Sequence, residues 1–396
     1  MSAVWFGWPK LDWSEVRQLA GKESLVAMIG FARRMTRIVS LCLLFLGLER
    51  TAAGQEAGTT PTPESLLREA YAKTKTAAGQ IDYDEIVRLC LRAQEAKPSA
   101  EVAAYANQLS AWAHNRRGEA SADRAVELAK QDQQAKAADW DARALADFEI
   151  AVRLDPKNWK ALHNRAVSRA LAGKTEEALV DFRRVVALKA DYANAWFNIG
   201  EIHADRGQYE QAIANYAQAL KLKPDDYDSC LRRGHAYRQL HKLPEALADY
   251  GQAAKLAPDK AEPLLSRGDL HRRLGQWQLA AEDYRRAVSL DHHSGRAYQG
   301  AAWFLATCPV ERYRNAELAV QAAERALELD GETDVRYLDT VAAAYASAGK
   351  FEKACQTLAR LIESDPTEAD VYRQRLELYR KQQPYRESQT ADRAER

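Results

Sequence analysis

The sequence contains none of the short patterns that mark common catalytic or nucleotide-binding sites. No GxxxxGKS/T, no GxGxxG after a strand, no HExxH and no GxSxG occurs in its 396 residues, so no phosphate loop, zinc helix or serine nucleophile is signalled. Charge of one sign is missing too: 57 Lys and Arg face 56 Asp and Glu, a formal net charge of +1. Nucleic-acid binders usually carry a strongly basic domain or stripe, so no nucleic-acid partner is expected. Cysteine is scarce, at 42, 90, 230, 308 and 355 with no CxxC spacing. That fits buried, small apolar side chains within helices; in an exported protein a disulfide stays open, without an assignable pairing. His292 and His293 are adjacent, so their side chains leave a helix on different faces. No Cys or acidic residue stands at a recognised metal-ligand spacing either. Accordingly no catalytic residue, metal or cofactor is predicted. Glycine is sparse at 19 residues while 29% of the chain is charged, a composition suited to solvated helices.

What is present is a repeat. From Ala193 to Asp226 the pattern predicts two amphipathic helices joined by a turn at Gly207. The first presents Trp196, Ile199 and Gly200; the second presents Ala212, Tyr216 and Ala219 before Pro224 stops it. Small residues at Gly200 and Ala212 let the two backbones approach, and Tyr216 fills the space beside them. At intervals of 34 residues the alanine recurs at Ala178, Ala246 and Ala280, and the aromatic at Phe182, Tyr250 and Tyr284. Turn glycines recur at Gly173 and Gly275, and the helix-ending proline at Pro258. One such pair cannot bury both apolar faces alone, so it must stack on neighbours of its kind.

Period and pattern together resemble the tetratricopeptide repeat family. The resemblance implies an all-α fold, a right-handed superhelix (an α-solenoid) of about eight helix-turn-helix repeats over residues 64–382, with no β-sheet. Regular units are expected at 159–192, 193–226, 227–260 and 261–294, preceded by a degenerate unit at 67–100 and an expanded one at 101–158. In the expanded unit the first helix is expected to end at Gly118. The second-helix signature of Ala144, Phe148, Ala151 and Pro156 then comes late, after a charged, alanine-rich insert read as extra helix. An extended unit at 295–334 carries the longer turn CPVERYRN. A unit at 335–368 and a capping helix at 369–381 with a polar outer face close the stack. Residues 383–396 carry no apolar periodicity and are expected to be a disordered tail.

Ahead of the array, Arg33, Arg34 and Arg37 precede the apolar run 38–48 and a small-residue patch at 51–54. That order predicts a signal peptide and an exported or periplasmic location, with the mature chain starting after the patch. The alternative is an anchor, with membrane association only if 38–48 is retained; its eleven residues are short against the roughly 20 that a spanning helix needs. All three methionines, at 1, 28 and 35, precede the run, so Met28 or Met35 is a candidate start. Residues 55–63 read as a linker.

Function in such arrays lives on the concave face, lined by the first helix of each unit. By resemblance, repeat positions 2, 5, 6, 9 and 12 point there. In this chain they are Lys160, His163 and Asn164; Asn194, Phe197, Asn198 and Glu201; Asp228, Arg232, His235 and Arg238; then Glu262, Leu265, Asp269 and Arg272. Asn164, Asn198 and Arg232 share one repeat position and suit hydrogen bonds to an extended peptide, while Arg232 and Arg238 suit a carboxylate. Chaperone-binding relatives clamp a C-terminal carboxylate with Lys and Asn at positions 5 and 9; here His163 and Val167 stand there, so that clamp is incomplete. The leading expectation is a non-enzymatic scaffold binding a protein or peptide, with an extended ligand crossing units 159–294. An assembly factor or chaperone adaptor of the cell envelope is the alternative. A regulatory subunit of an enzyme ranks last, because the repeats consume nearly all the chain.

Overall fold

Several helices begin where the sequence supplies an oxygen for their free N–H groups. Asn158, Asp226, Ser294 and Asn315 accept from the backbone N–H three residues on at 3.0–3.2 Å, filling donors that the first turn leaves unpaired. Between the helices of a unit the chain reverses through the left-handed region: Gly173, Gly207, Gly275 and Gly349 take φ of +70° to +75°, where glycine has no side chain to clash. In the unit at 227–260 His241 adopts φ +56° at the same point.

The computed structural model of the chain describes residues 61–331, 335–364 and 369–388. The predicted signal run and most of the linker lie outside them, as do Cys42 and residues 389–396. Among the described residues there are seventeen α-helices and no strand. The array opens with α1 (Pro63–Thr74) and α2 (Gln80–Glu95), then the long pair α3 (Ala100–Lys130) and α4 (Gln134–Leu154). Regular pairs follow as α5 (Trp159–Leu171) with α6 (Thr175–Leu188), α7 (Ala193–Asp205) with α8 (Tyr209–Leu222), α9 (Tyr227–Gln239) with α10 (Leu243–Leu256), and α11 (Glu262–Arg273) with α12 (Trp277–Leu290). The last elements are α13 (Gly295–Thr307), a 3-10 turn at Glu311–Tyr313, α14 (Ala316–Asp330), α15 (Val335–Ser347), α16 (Phe351–Ser364) and α17 (Ala369–Arg380). This is an all-α solenoid. No helix among the described residues is long and apolar enough to cross a membrane.

The insert is helix, but Gly118 does not end α3. The 31-residue helix runs straight through it, and the missing Cβ leaves room for Phe148, whose ring edge would lie 2.6 Å from one. Gly200 serves Tyr216 in the same way. The extra turns carry a small core of their own, in which Ala125, Leu128 and Ala137 pack with Trp140. Cys90, Cys230 and Cys308 are buried and Cys355 partly so, all unbonded; burial pushes the Cys90 thiol up to about 12 and Cys230 to about 11.

One device was not read from the sequence. Arg165, Arg233 and Arg267 on first helices grip Asp181, Asp249 and Asp283 on second helices through two parallel bonds of 2.6–2.9 Å. Each aspartate is buried, and the planar guanidinium matches the carboxylate fork. The unit at 193–226 has Ile199 and Asn215 at these positions.

Candidate functional site

First helices of successive units touch directly, α3 on α5, α7 on α9, α11 on α13 and α13 on α15. They form the inner wall, and the structure shows what each predicted wall residue does. Lys160 is exposed, with its Nζ 5.6 Å from the Trp159 ring. Asn164 is engaged with its neighbours: its Nδ2 donates to Asn115 Oδ1 and Glu119 Oε1, both at 3.0 Å. His163 is wedged between Phe182 and Tyr192, with ring centroids 5.6 and 5.0 Å away. Its Nδ1 is buried without a partner, and burial lowers its pKa to about 4. It packs as an aromatic residue and offers no charge to a ligand. Leu265 is likewise buried, part of the core between α11 and α13. Asn194 and Asp228 are exposed, Asn198 and Arg238 half-buried, and Phe197 leans on Tyr216 with centroids 5.7 Å apart.

A second periodic device sets the wall. The hydroxyls of Tyr216, Tyr250 and Tyr284 reach from the second helices to Glu201, His235 and Asp269 on the first. In the unit at 159–192 both partners change together, to Phe182 and Val167. Glu201 is therefore buried rather than presented. Burial raises its pKa, against the opposing pull of Arg232, whose Nε lies 3.5 Å away. His235 also faces the Glu262 carboxylate at 3.8 Å, which holds Glu262 below the usual range.

Asp269 and Arg272 of the predicted set line a cavity. It measures about 240 Å3 and sits where α11, α13, α15 and α17 converge, with Arg296, Trp303, Arg336 and Arg375 on its other walls. Asp269 accepts from Tyr284 at 2.6 Å and pairs with Arg296. Asp339 pairs with Arg375, and Gln299 donates to Thr340 at 2.7 Å. Four arginines against Asp269, Asp339 and the Glu387 carboxylate on Arg272 leave the cavity with an excess of one positive charge. Arg272 is half-buried at a cost to its charge, yet the Tyr284 hydroxyl and the Glu387 and Asp269 carboxylates outweigh that and raise its pKa. The sequence carried a signal for these residues. Positions 2, 5, 6 and 9, counted on into the units that start at 295 and 335, give Arg296, Gln299, Gly300, Trp303, Arg336, Asp339 and Thr340, all on its walls, and Ala343, which is not.

The tail supplies the other difference from expectation. Residues 383–388, expected to be without structure, lie against α13 instead. Glu387 N–H donates to the Thr307 carbonyl at 2.9 Å, and its carboxylate accepts from Arg272 and from Trp303 Nε1, the latter at 2.7 Å.

Comparison with known proteins agrees with this architecture. Residues 136–193, 193–226 and 341–367 match family descriptions reading "Tetratricopeptide repeat", and 234–275 match one reading "TPR repeat". No curated protein matches the sequence. Among solved structures, PilF of Pseudomonas aeruginosa is 15% identical over 57% of this chain and 96% of its own, with a TM-score of 0.46. A tetratricopeptide repeat protein from Parabacteroides merdae is 16% identical over 71% of this chain and 98% of its own, at 0.41. Yeast Tom70 is 14% identical over 93% of this chain and 77% of its own, at 0.42. With the 34-residue period, the helix pairs and the matched segments in agreement, the chain belongs to the tetratricopeptide repeat proteins.

Proposed function

We propose that the chain is a non-enzymatic scaffold that binds an extended segment of a protein partner on its inner wall. The observation that carries this reading is the cationic cavity between α11 and α17, where Arg272, Arg296, Arg336 and Arg375 stand with Trp303. Guanidinium groups held by neighbouring side chains lose little freedom on meeting a carboxylate, and an indole gives a flat surface for apolar or aromatic groups. The stretch at 159–294, with Asn198 and Arg232, extends the same wall toward the N-terminus. Placement in the periplasm or envelope is part of this proposal and is supported only by the basic, apolar, small-residue order before 54; a mature N-terminus after 51–54, read by mass spectrometry, tests it. The alternative of an envelope assembly factor would recover many unfolded clients in place of one stable partner.

The function is tested by affinity capture with the full chain, then titration of the partner. Arg336→Ala or Asn198→Ala is expected to weaken binding about tenfold, as loss of a charge contact or hydrogen bond does, and the effect of Arg336→Ala, unlike that of Asn198→Ala, is expected to shrink as salt rises. Leu318→Ser, at an exposed residue on a second helix, is expected to leave binding unchanged. If only that substitution acts, the inner-wall assignment is wrong. Turnover by the purified chain would reject the non-enzymatic reading.

A further inference from the structure

The cap helix α17 ends in a tight reversal. Gln382 takes φ +54°, and the Gln383 N–H closes on the Leu378 carbonyl at 2.9 Å, a left-handed helix stop that turns the chain back toward the array. From Pro384 the chain runs without regular structure, and its contacts are those of a ligand. Glu387 puts its carboxylate between Arg272 and the Trp303 indole N–H, and its own N–H on the Thr307 carbonyl. Arg386 donates to the Ala306 carbonyl at 2.6 Å. Tyr385 lies 6.0 Å from the Trp303 ring centroid, and the Arg375 guanidinium sits over both rings, 4.7 Å from Tyr385 and 5.0 Å from Trp303.

The receiving surface owes little to this segment. Arg272 Nε is placed by the Tyr284 hydroxyl at 3.3 Å and Arg375 by Asp339. Ala306 and Thr307 belong to the last turn of α13, whose carbonyls have no donor within the helix. A charged fork, an indole face and two outward carbonyls together recognise an extended chain: a carboxylate, an aromatic ring two residues before it, and the backbone between. Arg272, Trp303 and Arg375 also line the cationic cavity, so further acidic residues of a ligand meet Arg296 and Arg336.

We propose that this surface is a peptide site for a partner segment with an aromatic residue two positions before a glutamate, and that the chain's own Tyr385–Arg386–Glu387 fills it until such a segment arrives. This deepens the inner-wall reading and rests on it. The partner replaces an internal copy of its own motif. A tethered copy acts at an effective concentration on the millimolar scale, so free segments compete only when the internal one is weakened or outnumbered.

The test uses the full-length chain and a fluorescein-labelled peptide of sequence QPYRES, which is residues 383–388, read by fluorescence anisotropy. The variant Y385A/E387A, which empties the site, is expected to bind the peptide at least tenfold tighter than the parent does. Adding Arg272→Ala, or changing the peptide to QPYRQS, is expected to weaken binding at least tenfold. Circular dichroism checks the fold; should the double variant lose helix, Glu387→Gln, which keeps the side chain's shape, replaces it. Equal affinity for parent and variant, or no binding to a folded variant, overturns the proposal. So does concentration-dependent dimerisation of the parent that vanishes in Y385A/E387A, because the occupant would then be the segment of a second copy. If the peptide fails while a captured partner still depends on Asn198, this site is wrong and the scaffold reading stands.

Discussion

Glycine to alanine is expected to act with opposite sign at two helix-interior positions of this array. Inside a helix the change normally stabilises by about 0.5–1 kcal/mol, because glycine loses more backbone freedom on folding. At Gly251 on α10 nothing opposes this: an added Cβ meets only the Arg267 Nη1, at 3.7 Å. At Gly200 on α7 the Cβ would lie 2.6 and 2.8 Å from Cε1 and Cδ1 of Tyr216. That ring is buried, and its hydroxyl is tied to Glu201. It cannot yield without straining a packed helix pair, which costs about 1–3 kcal/mol. Propensity cancels between the two variants, so their difference isolates the overpacking cost. Urea denaturation followed by circular dichroism is expected to raise the midpoint for Gly251→Ala and lower it for Gly200→Ala, about 1–3 kcal/mol apart. Equal midpoints, or a gain at Gly200, would refute the claim that the Gly200–Tyr216 approach sets the helix spacing.

Two further outcomes follow from groups inside the units. His163 has a folded pKa of about 4, below the ordinary 6.5, so the folded state binds its proton later than the unfolded chain does. Its contribution is whole above about pH 6.5 and is lost as pH falls toward 4, at up to about 1.4 kcal/mol per pH unit. Denaturation midpoints of His163→Phe should therefore fall less steeply than the parent's across that window; parallel curves would show that the ring is not held neutral. Asp249→Ala strands the Arg233 guanidinium and is expected to cost about 3 kcal/mol, the low end for a broken buried pair because Arg233 is about a quarter exposed. Arg233→Met in the same chain should recover part of that loss in urea melts.

Much of the fold was legible because a single period repeats the same packing problem. Ala178, Ala212, Ala246 and Ala280 name the close contacts, and the tyrosines name the filler. Gly118 misled because glycine both ends helices and admits a neighbour's ring, and a residue letter does not distinguish the two uses. The arginine–aspartate grips lay in register as openly as the alanines, yet charged residues at helical spacing usually mark a solvated face. His163 was placed on the wall by its repeat position, while its surroundings, Phe182 and Tyr192, decide that it packs. The segment at 385–387 shows no local pattern at all: Glu387 is fixed by Arg272, 115 residues earlier, and a contact across that distance leaves no period to read.

The arginine–aspartate grips also bear on how such a chain avoids misassembly. Near-identical helices stacked in series can dock one unit out of step, a hazard of repeat proteins. Here a displaced docking between the units at 193–226 and 227–260 is penalised at once. If α8, with Asn215, settled on α9, it would bury the Arg233 guanidinium without its carboxylate; if α10 settled on α7, Asp249 would face Ile199. Each error leaves an uncompensated buried charge, a cost of about 3–5 kcal/mol, whereas the correct neighbours satisfy every pair. Among the four regular units, the one without a grip thus works as a landmark that fixes the pairing of α7 to α10.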